Sequence, residues 1–277
     1  MHQPTIAFIG AGNMGRSLAG GLLKSGWDRK RLLLADPDAN QQRVVGEFLG
    51  VHVSGDNRRV AEHADVVVLA VKPQVLRTIA EEMAQTIQQK QPLVVSIAAG
   101  VRIADLERWL GGALAIVRVM PNTPALVGSG ASALYANERV QPTQRDLAES
   151  ILRTVGVTVW LPQEALLDVV TALSGSGPAY FFLVMEALEQ AAINHGLDAP
   201  TARLLTLETA FGAAKMALEG DAEPAELRRR VTSPGGTTEQ AIHVLQEGHV
   251  EQLFSRAIDA ATARSRELAD LLGGRTT

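Results

Sequence analysis

The sequence predicts an α/β chain in two parts: a doubly wound parallel sheet first, then an all-helical domain. Three observations carry this. Short apolar strand-like runs alternate with amphipathic helical segments over the first 161 residues. Those runs are apolar throughout rather than alternating, as in a sheet covered on both faces. After Pro162 no strand pattern recurs, and long apolar helices follow. The expected division is therefore residues 1–161 and 162–277.

Composition narrows the function. The chain has 277 residues, a formal net charge of −4 and no cysteine. There is no basic excess for nucleic acid and no basic amphipathic helix for a membrane surface. Without cysteine there is no disulfide, no thiolate metal site and no thiol nucleophile; no other metal site is expected. Met1–Pro4 leads directly into an apolar run, so no signal peptide is expected. The run 66–71 is too short to cross a bilayer. A soluble, cytoplasmic protein is expected.

The first strand, residues 5–9, is β-branched and aromatic, and Gly10-Ala11-Gly12-Asn13-Met14-Gly15 follows at once before a helix at 17–23. This is the dinucleotide fingerprint in its required strand–turn–helix setting. Gly10 permits the tight turn, Gly12 lets a pyrophosphate reach the backbone, and Gly15 lets helix and strand pack closely. A Rossmann-type sheet is thus expected. Further strands are read at 31–35, 51–54, 66–71, 93–98, 115–120, 131–135 and 157–160, with helices at 40–49, 60–64, 74–89, 103–110 and 142–154 between them. Ligands of such a sheet lie at the carboxyl ends of its strands. Asp36 ends the second strand, where an acid binds the adenosine ribose and favours NADH over NADPH. The segments 70–74 and 96–100 end the fourth and fifth strands and face the nicotinamide side. Met120-Pro121-Asn122-Thr123-Pro124 makes a stiff loop after the sixth.

In the second half, helices are read at 165–173, 179–195, 201–218, 224–231, 239–246 and 250–272, with Ser174-Gly175-Ser176-Gly177-Pro178 breaking the first from the second. The helices at 179–195 and 201–218 are apolar around much of their circumference, which argues for burial against another subunit. Between 227 and 245 the chain reads LRRRVTSPGGTTEQAIHVL. Its glycines permit φ > 0, and Thr237 with Gln240 has the spacing of a capping box. The free N–H groups of the new helix make the turn a place for a small carboxylate.

Taken together, AFIGAGNMG, AVKPQ, VSIAAGV, MPNTPALVG, LSGSGPAYFF and VTSPGGTTEQAI make the chain resemble pyrroline-5-carboxylate reductase from about Thr5 to Leu268. The resemblance implies reduction of 1-pyrroline-5-carboxylate to L-proline with NADPH or NADH. It implies a homodimer through the helical domain, with five dimers forming a decamer in many members. It places Gly10–Gly15 on the pyrophosphate and Asn57 on the cofactor. Ala70, Lys72 and Pro73 fall beside the nicotinamide ribose, and Ala98 at a second cofactor contact. Gly236, Thr237 and Thr238 fall in the pocket for the substrate carboxylate and ring nitrogen, with Glu164 and Ser176 in matching stretches nearby. Arg230 stands where some members have asparagine. Asp36 stands where NADPH-preferring members often carry a small hydroxyl or basic residue.

Hydride addition to the C=N carbon builds negative charge on the ring nitrogen, so a donor must face that nitrogen. Thr238 is the candidate catalytic residue, orienting an already protonated iminium or relaying a water proton, since a neutral hydroxyl is a poor acid. Two other readings exist: a β-hydroxyacid dehydrogenase, or an NAD(P)-binding protein without chemistry. The first needs a lysine with asparagine four residues on, and here Lys215 is followed by Glu219. The intact threonine turn argues against the second.

Overall fold

The computed structural model describes residues 3–274. Contacts divide the chain into two compact units, residues 1–176 with 260–277, and residues 177–259.

The first unit is built on an eight-stranded sheet in the order β3-β2-β1-β4-β5-β6-β7-β8. Its strands are β1 (Ile6–Ile9), β2 (Leu32–Ala35), β3 (Val53–Ser54), β4 (Val66–Leu69), β5 (Leu93–Ser96), β6 (Ile116–Met120), β7 (Gly130–Ala136) and β8 (Gly156–Trp160). All eight expected strands form. The first six are parallel, so the expected parallel sheet holds up to β6. β7 departs from it, running antiparallel to β6, and β8 pairs parallel to β7. Only the short 3₁₀ turn Thr123–Val127 joins β6 to β7. A parallel return needs a crossover of a dozen or more residues.

Helices cover both faces. On one side lie α1 (Asn13–Lys24), α2 (Ala39–Leu49) and α6 (Pro142–Arg153), whose Leu18, Leu22, Val45 and Ile151 pack on Ile6, Phe8, Val66 and Val68. On the other lie α3 (Asn57–Ala61), α4 (Pro73–Lys90) and α5 (Ile103–Trp109), whose Val60, Leu76, Met83 and Leu106 pack on Ala7, Ile9, Val67 and Leu69. Successive strand residues go to opposite cores, which is why these strands are apolar throughout.

Two local expectations change. The Ser-Gly-Ser-Gly-Pro stretch does not end its helix in a loop. α7 (Leu166–Val170) widens into a π turn, Thr171–Gly175, and only Ser176 intervenes before α8 (Gly177–Asn194). The Ser176 N–H reaches back five residues to the Thr171 carbonyl at 2.8 Å. Pro178 has no N–H to donate to the Ser174 carbonyl, and the Asn122 side chain donates there instead at 3.2 Å. Secondly, residues Leu166–Asn194 make a 29-residue helical stretch containing an 18-residue window of mean hydropathy 1.3, long and apolar enough by length and composition to cross a membrane. A search for uninterrupted apolar runs overlooks it because Ser, Gly and Glu are scattered through it.

The second unit holds α8, α9 (Ala199–Glu219), α10 (Pro224–Arg230), α11 (Thr237–Glu247) and the start of α12 (Val250–Leu272). α8 and α9 pack on each other. Phe181, Phe182, Leu183, Leu204 and Phe211 nevertheless remain more than half exposed. From Ala260 onward α12 belongs to the first unit. There Ser265 donates to Asp168 at 2.7 Å, and Arg102 pairs with Asp270 at 2.6 Å.

The sheet edge at β8 is held by one carboxylate. Glu149 of α6 accepts hydrogen bonds from Trp160 Nε1 at 2.7 Å and Thr158 Oγ1 at 3.1 Å, and pairs with Arg153 at 2.8 Å. These partners, Trp160 first, hold its carboxyl below the ordinary 4.5. A depressed folded-state value adds stability that is fully present above the unfolded value and lost as pH falls through the folded one. Urea unfolding from neutral pH down to pH ~3 should therefore show a steeper loss of stability in the wild type than in Glu149→Gln.

Candidate active site

The carboxyl ends of β1, β2, β4 and β5 carry most of the expected cofactor residues. Gly10 has φ +99°, and its N–H donates to the Ala35 carbonyl at 2.8 Å. A side chain there would meet the Ala70 carbonyl oxygen at 2.8 Å. A side chain on Gly15 would collide with the Gly10 carbonyl oxygen. Ala70 is tied to β1 by its own N–H, which donates to Ile9 at 2.8 Å. Gly10, Ala11, Gly15, Asp36 and Ala70 are thus in one packed group.

A dinucleotide fits this group. Among the described residues, chain neighbours apart, nothing lies within 4 Å of where a Gly12 side chain would be, and Gly12 is the N-cap of α1 without a side-chain cap. No acid occupies the first turn, which Asn13 and Met14 begin. The N–H groups there have no helical partner and suit a pyrophosphate.

Asp36 is placed at the end of β2 as expected, and its carboxylate is engaged. Oδ2 accepts the Ala11 N–H at 2.9 Å and Oδ1 the Asp38 N–H at 3.0 Å. Asn57 opens α3, one strand further out, where the Ser54 carbonyl accepts the Asp36 N–H at 3.0 Å. Lys72 is the N-cap of α4 and Pro73 its first residue. Ala98 is buried just beyond β5.

Glu164 lies in the same unit but faces structural partners. Oε1 accepts from Arg118 of β6 at 2.9 Å and from the Ile103 N–H at 2.8 Å. Arg118 is 4% exposed, and Ile103 is the first residue of α5, where an anion is favoured. Asn122 also braces two segments: its amide donates to Ser174, and its Oδ1 accepts the Ala131 N–H at 2.8 Å. Ser176 follows the π turn directly.

The remaining residues lie in the second unit. Gly235 takes φ +69°, Gly236 is the N-cap of α11, and Thr237 and Thr238 are its first two residues. The expected Thr237–Gln240 capping box does not form, because the helix begins one residue earlier than that spacing requires, with Gly236 as its N-cap. Glu239 takes the role, accepting the Gly235 N–H at 2.7 Å. Arg230 donates to Glu226 at 2.8 Å, and Arg229 pairs with the same acid. These two guanidiniums, Arg229 first, lower the Glu226 pKa.

Sequence reading missed Gln41, Gln42 and Glu239 as supports of these loops. Glu239 stands three residues after the glycine N-cap and could have been found by allowing glycine at that position. No comparable pattern marks the two glutamines.

Comparison with known proteins follows the same lines. A family profile for pyrroline-5-carboxylate reductase dimerisation matches residues 164–268, and one for coenzyme F420-dependent NADP oxidoreductases matches residues 5–100. A pyrroline-5-carboxylate reductase of Pseudomonas aeruginosa is 51% identical over 274 residues, 99% of this chain and 100% of that protein. A solved reductase from Coxiella burnetii superposes with a TM-score of 0.92 at 48% identity, covering 96% of this chain and 99% of the other. One from Plasmodium falciparum, solved with NADP bound, gives 0.86 at 29% identity over 97% and 99% of the two chains.

Removing Glu164 would leave the Arg118 charge buried and unpaired. Glu164→Ala should lose on the order of 3 kcal/mol of stability, read as a fall in Tm, and Glu164→Gln less. Among known proteins, the full-length matches make this chain a member of the pyrroline-5-carboxylate reductase family.

Proposed function

We propose that this chain reduces the imine of 1-pyrroline-5-carboxylate to L-proline, using NADPH or NADH. The observation that carries the reading is the open Pro234-Gly235-Gly236-Thr237-Thr238 turn at the head of α11, in a chain that matches the reductases from end to end. The substrate is a cyclic imine with a carboxylate on the carbon across the nitrogen. When bound, the nicotinamide supplies the hydride that adds to the C=N carbon.

The protein's part is to hold and orient. The N–H groups of Thr237 and Thr238 receive the carboxylate, since the helix N-terminus is electropositive and these first-turn donors have no helical partner, whereas the Gly236 N–H already donates to the Ser233 carbonyl at 3.0 Å. The Thr238 hydroxyl faces the ring nitrogen, orienting a protonated iminium or passing on a proton from water. The family resemblance assigns Ser176 and Arg230 to the substrate as well; Arg230 is engaged by Glu226. Glu164 acts indirectly by fixing Arg118 and the start of α5. On the cofactor, Gly10–Gly15 take the pyrophosphate, Asp36 and Asn57 the adenosine side, and Ala70, Lys72, Pro73 and Ala98 the nicotinamide side. Asp36 carries negative charge where a 2′-phosphate would lie, which favours NADH.

By function, residues 1–161 are the dinucleotide domain and 162–277 the substrate and dimerisation domain, although by contacts residues 162–176 and the stretch from Ala260 belong to the first unit. The exposed apolar faces of α8 and α9 support burial of this stretch, Leu166–Asn194 included, against a second copy rather than in a membrane, with five dimers as the larger assembly. A cytoplasmic location fits a soluble biosynthetic enzyme.

Two measurements check this. Thr238→Ala should keep the fold and the NAD(P)H affinity but lower kcat by about 10- to 100-fold, the worth of one hydrogen bond to a charged partner. Unchanged turnover would remove Thr238 from the mechanism. Light scattering on the purified chain should give the mass of a dimer or of ten copies; a monomer would overturn the assembly.

A further inference from the structure

We infer that Gln41 and Gln42, in the first turns of α2, are positioning residues that set dinucleotide affinity and 2′-phosphate selectivity respectively. The inference rests on reading Gly10–Gly15 as the pyrophosphate loop. Ala11 lies between Gly10 and Gly12, and it is 0% exposed. Both its backbone groups therefore need protein partners. Asp36 accepts its N–H at 2.9 Å, and Gln41 Nε2 donates to its carbonyl oxygen at 2.5 Å. The Gly10-Ala11-Gly12 peptides are thus pinned from above and below by side chains of one short segment.

The next residue extends the grip. Gln42 Nε2 donates to the Asp36 carbonyl oxygen at 2.7 Å. A side chain on Gly55 would come within 3.2 Å of that nitrogen, so a glycine there keeps the amide's place clear. Asp38 anchors α2 by accepting the Asn40 N–H at 2.8 Å, while its own N–H is held by Asp36. Asp36 is consequently fixed at its N–H, its carboxylate and its carbonyl.

Loss of the Gln41 donor leaves a buried carbonyl without a partner. The cheapest relief is rotation of the flanking glycine peptides, which turns the Gly12 region away from the pyrophosphate. NADH and NADPH share that group, so both should suffer alike. Loss of the Gln42 donor loosens Asp36, which meets the ribose where the two cofactors differ.

The test is direct binding of NADH and NADPH to the intact enzyme by fluorescence, with steady-state kinetics beside it. Gln41→Ala should raise both Kd values about tenfold, equivalent to about 1.4 kcal/mol, leaving the KM for the imine acid as in the wild type. The isosteric Gln41→Glu, which lacks the donor, should do the same and serves if the alanine variant does not fold. Gln42→Ala should change the NADPH-to-NADH ratio of Kd at least threefold. Wild-type Kd values in the Gln41 variants, or an unchanged ratio in Gln42→Ala, overturn the inference. Gly12→Asp, which puts a carboxylate where the pyrophosphate sits, separates the two levels. If it still binds dinucleotide, the loop reading itself fails; if it does not, and Gln41→Ala binds normally, only the clamp fails.

Discussion

The cofactor end of this molecule depends on how tightly β1 can turn into α1. The turn is possible because two positions carry no side chain: at Gly10 one would strike the Ala70 carbonyl, and at Gly15 the Gly10 carbonyl. That closeness buries Ala11 completely, and a buried peptide must be hydrogen-bonded on both sides. The demand is met from β2 and α2, so the second βα unit becomes part of the pyrophosphate loop rather than a mere neighbour. The loop is then set before any ligand arrives, and binding need not bear the cost of ordering it.

The same rule, that a buried polar group finds a partner, explains the rest of the first unit. Pro178 withholds a donor from Ser174, and Asn122 supplies one from the loop after β6. Arg118 sits buried on a strand among apolar neighbours, and Glu164 neutralises it while closing the start of α5. Residues that look like a substrate loop or a site acid are thus also the ties that hold β6, β7, α5 and the π turn in register. Function and framework share side chains here, which makes kinetic splits more informative than simple loss of activity.

The helical unit obeys a different logic. α8 and α9 leave aromatic and aliphatic side chains in solvent that no folded monomer would gain by exposing, in agreement with a family whose helical half is a dimerisation element. The turn before α11 is polished locally: a glycine N-cap, a left-handed Gly235 and Glu239 closing the loop. With glycine at the N-cap no side chain takes up the first N–H groups of α11, where a serine or aspartate cap would have used them, as Asp38 does on α2.

By itself the sequence determined what is local or periodic. Apolar runs of strand length specified the sheet, the glycine spacing specified the dinucleotide loop, and the Pro-Gly-Gly-Thr-Thr segment specified the head of α11, because each is decided by backbone sterics and burial within a few residues. Only the tertiary structure decided the reversal of β7, the π turn in place of a break, the engagement of Asp36 and Glu164, and the roles of Gln41, Gln42 and Asn122. Most of these rest on hydrogen bonds or strand pairings between separate elements, and no spacing within one element records which carbonyl of another a side chain will meet.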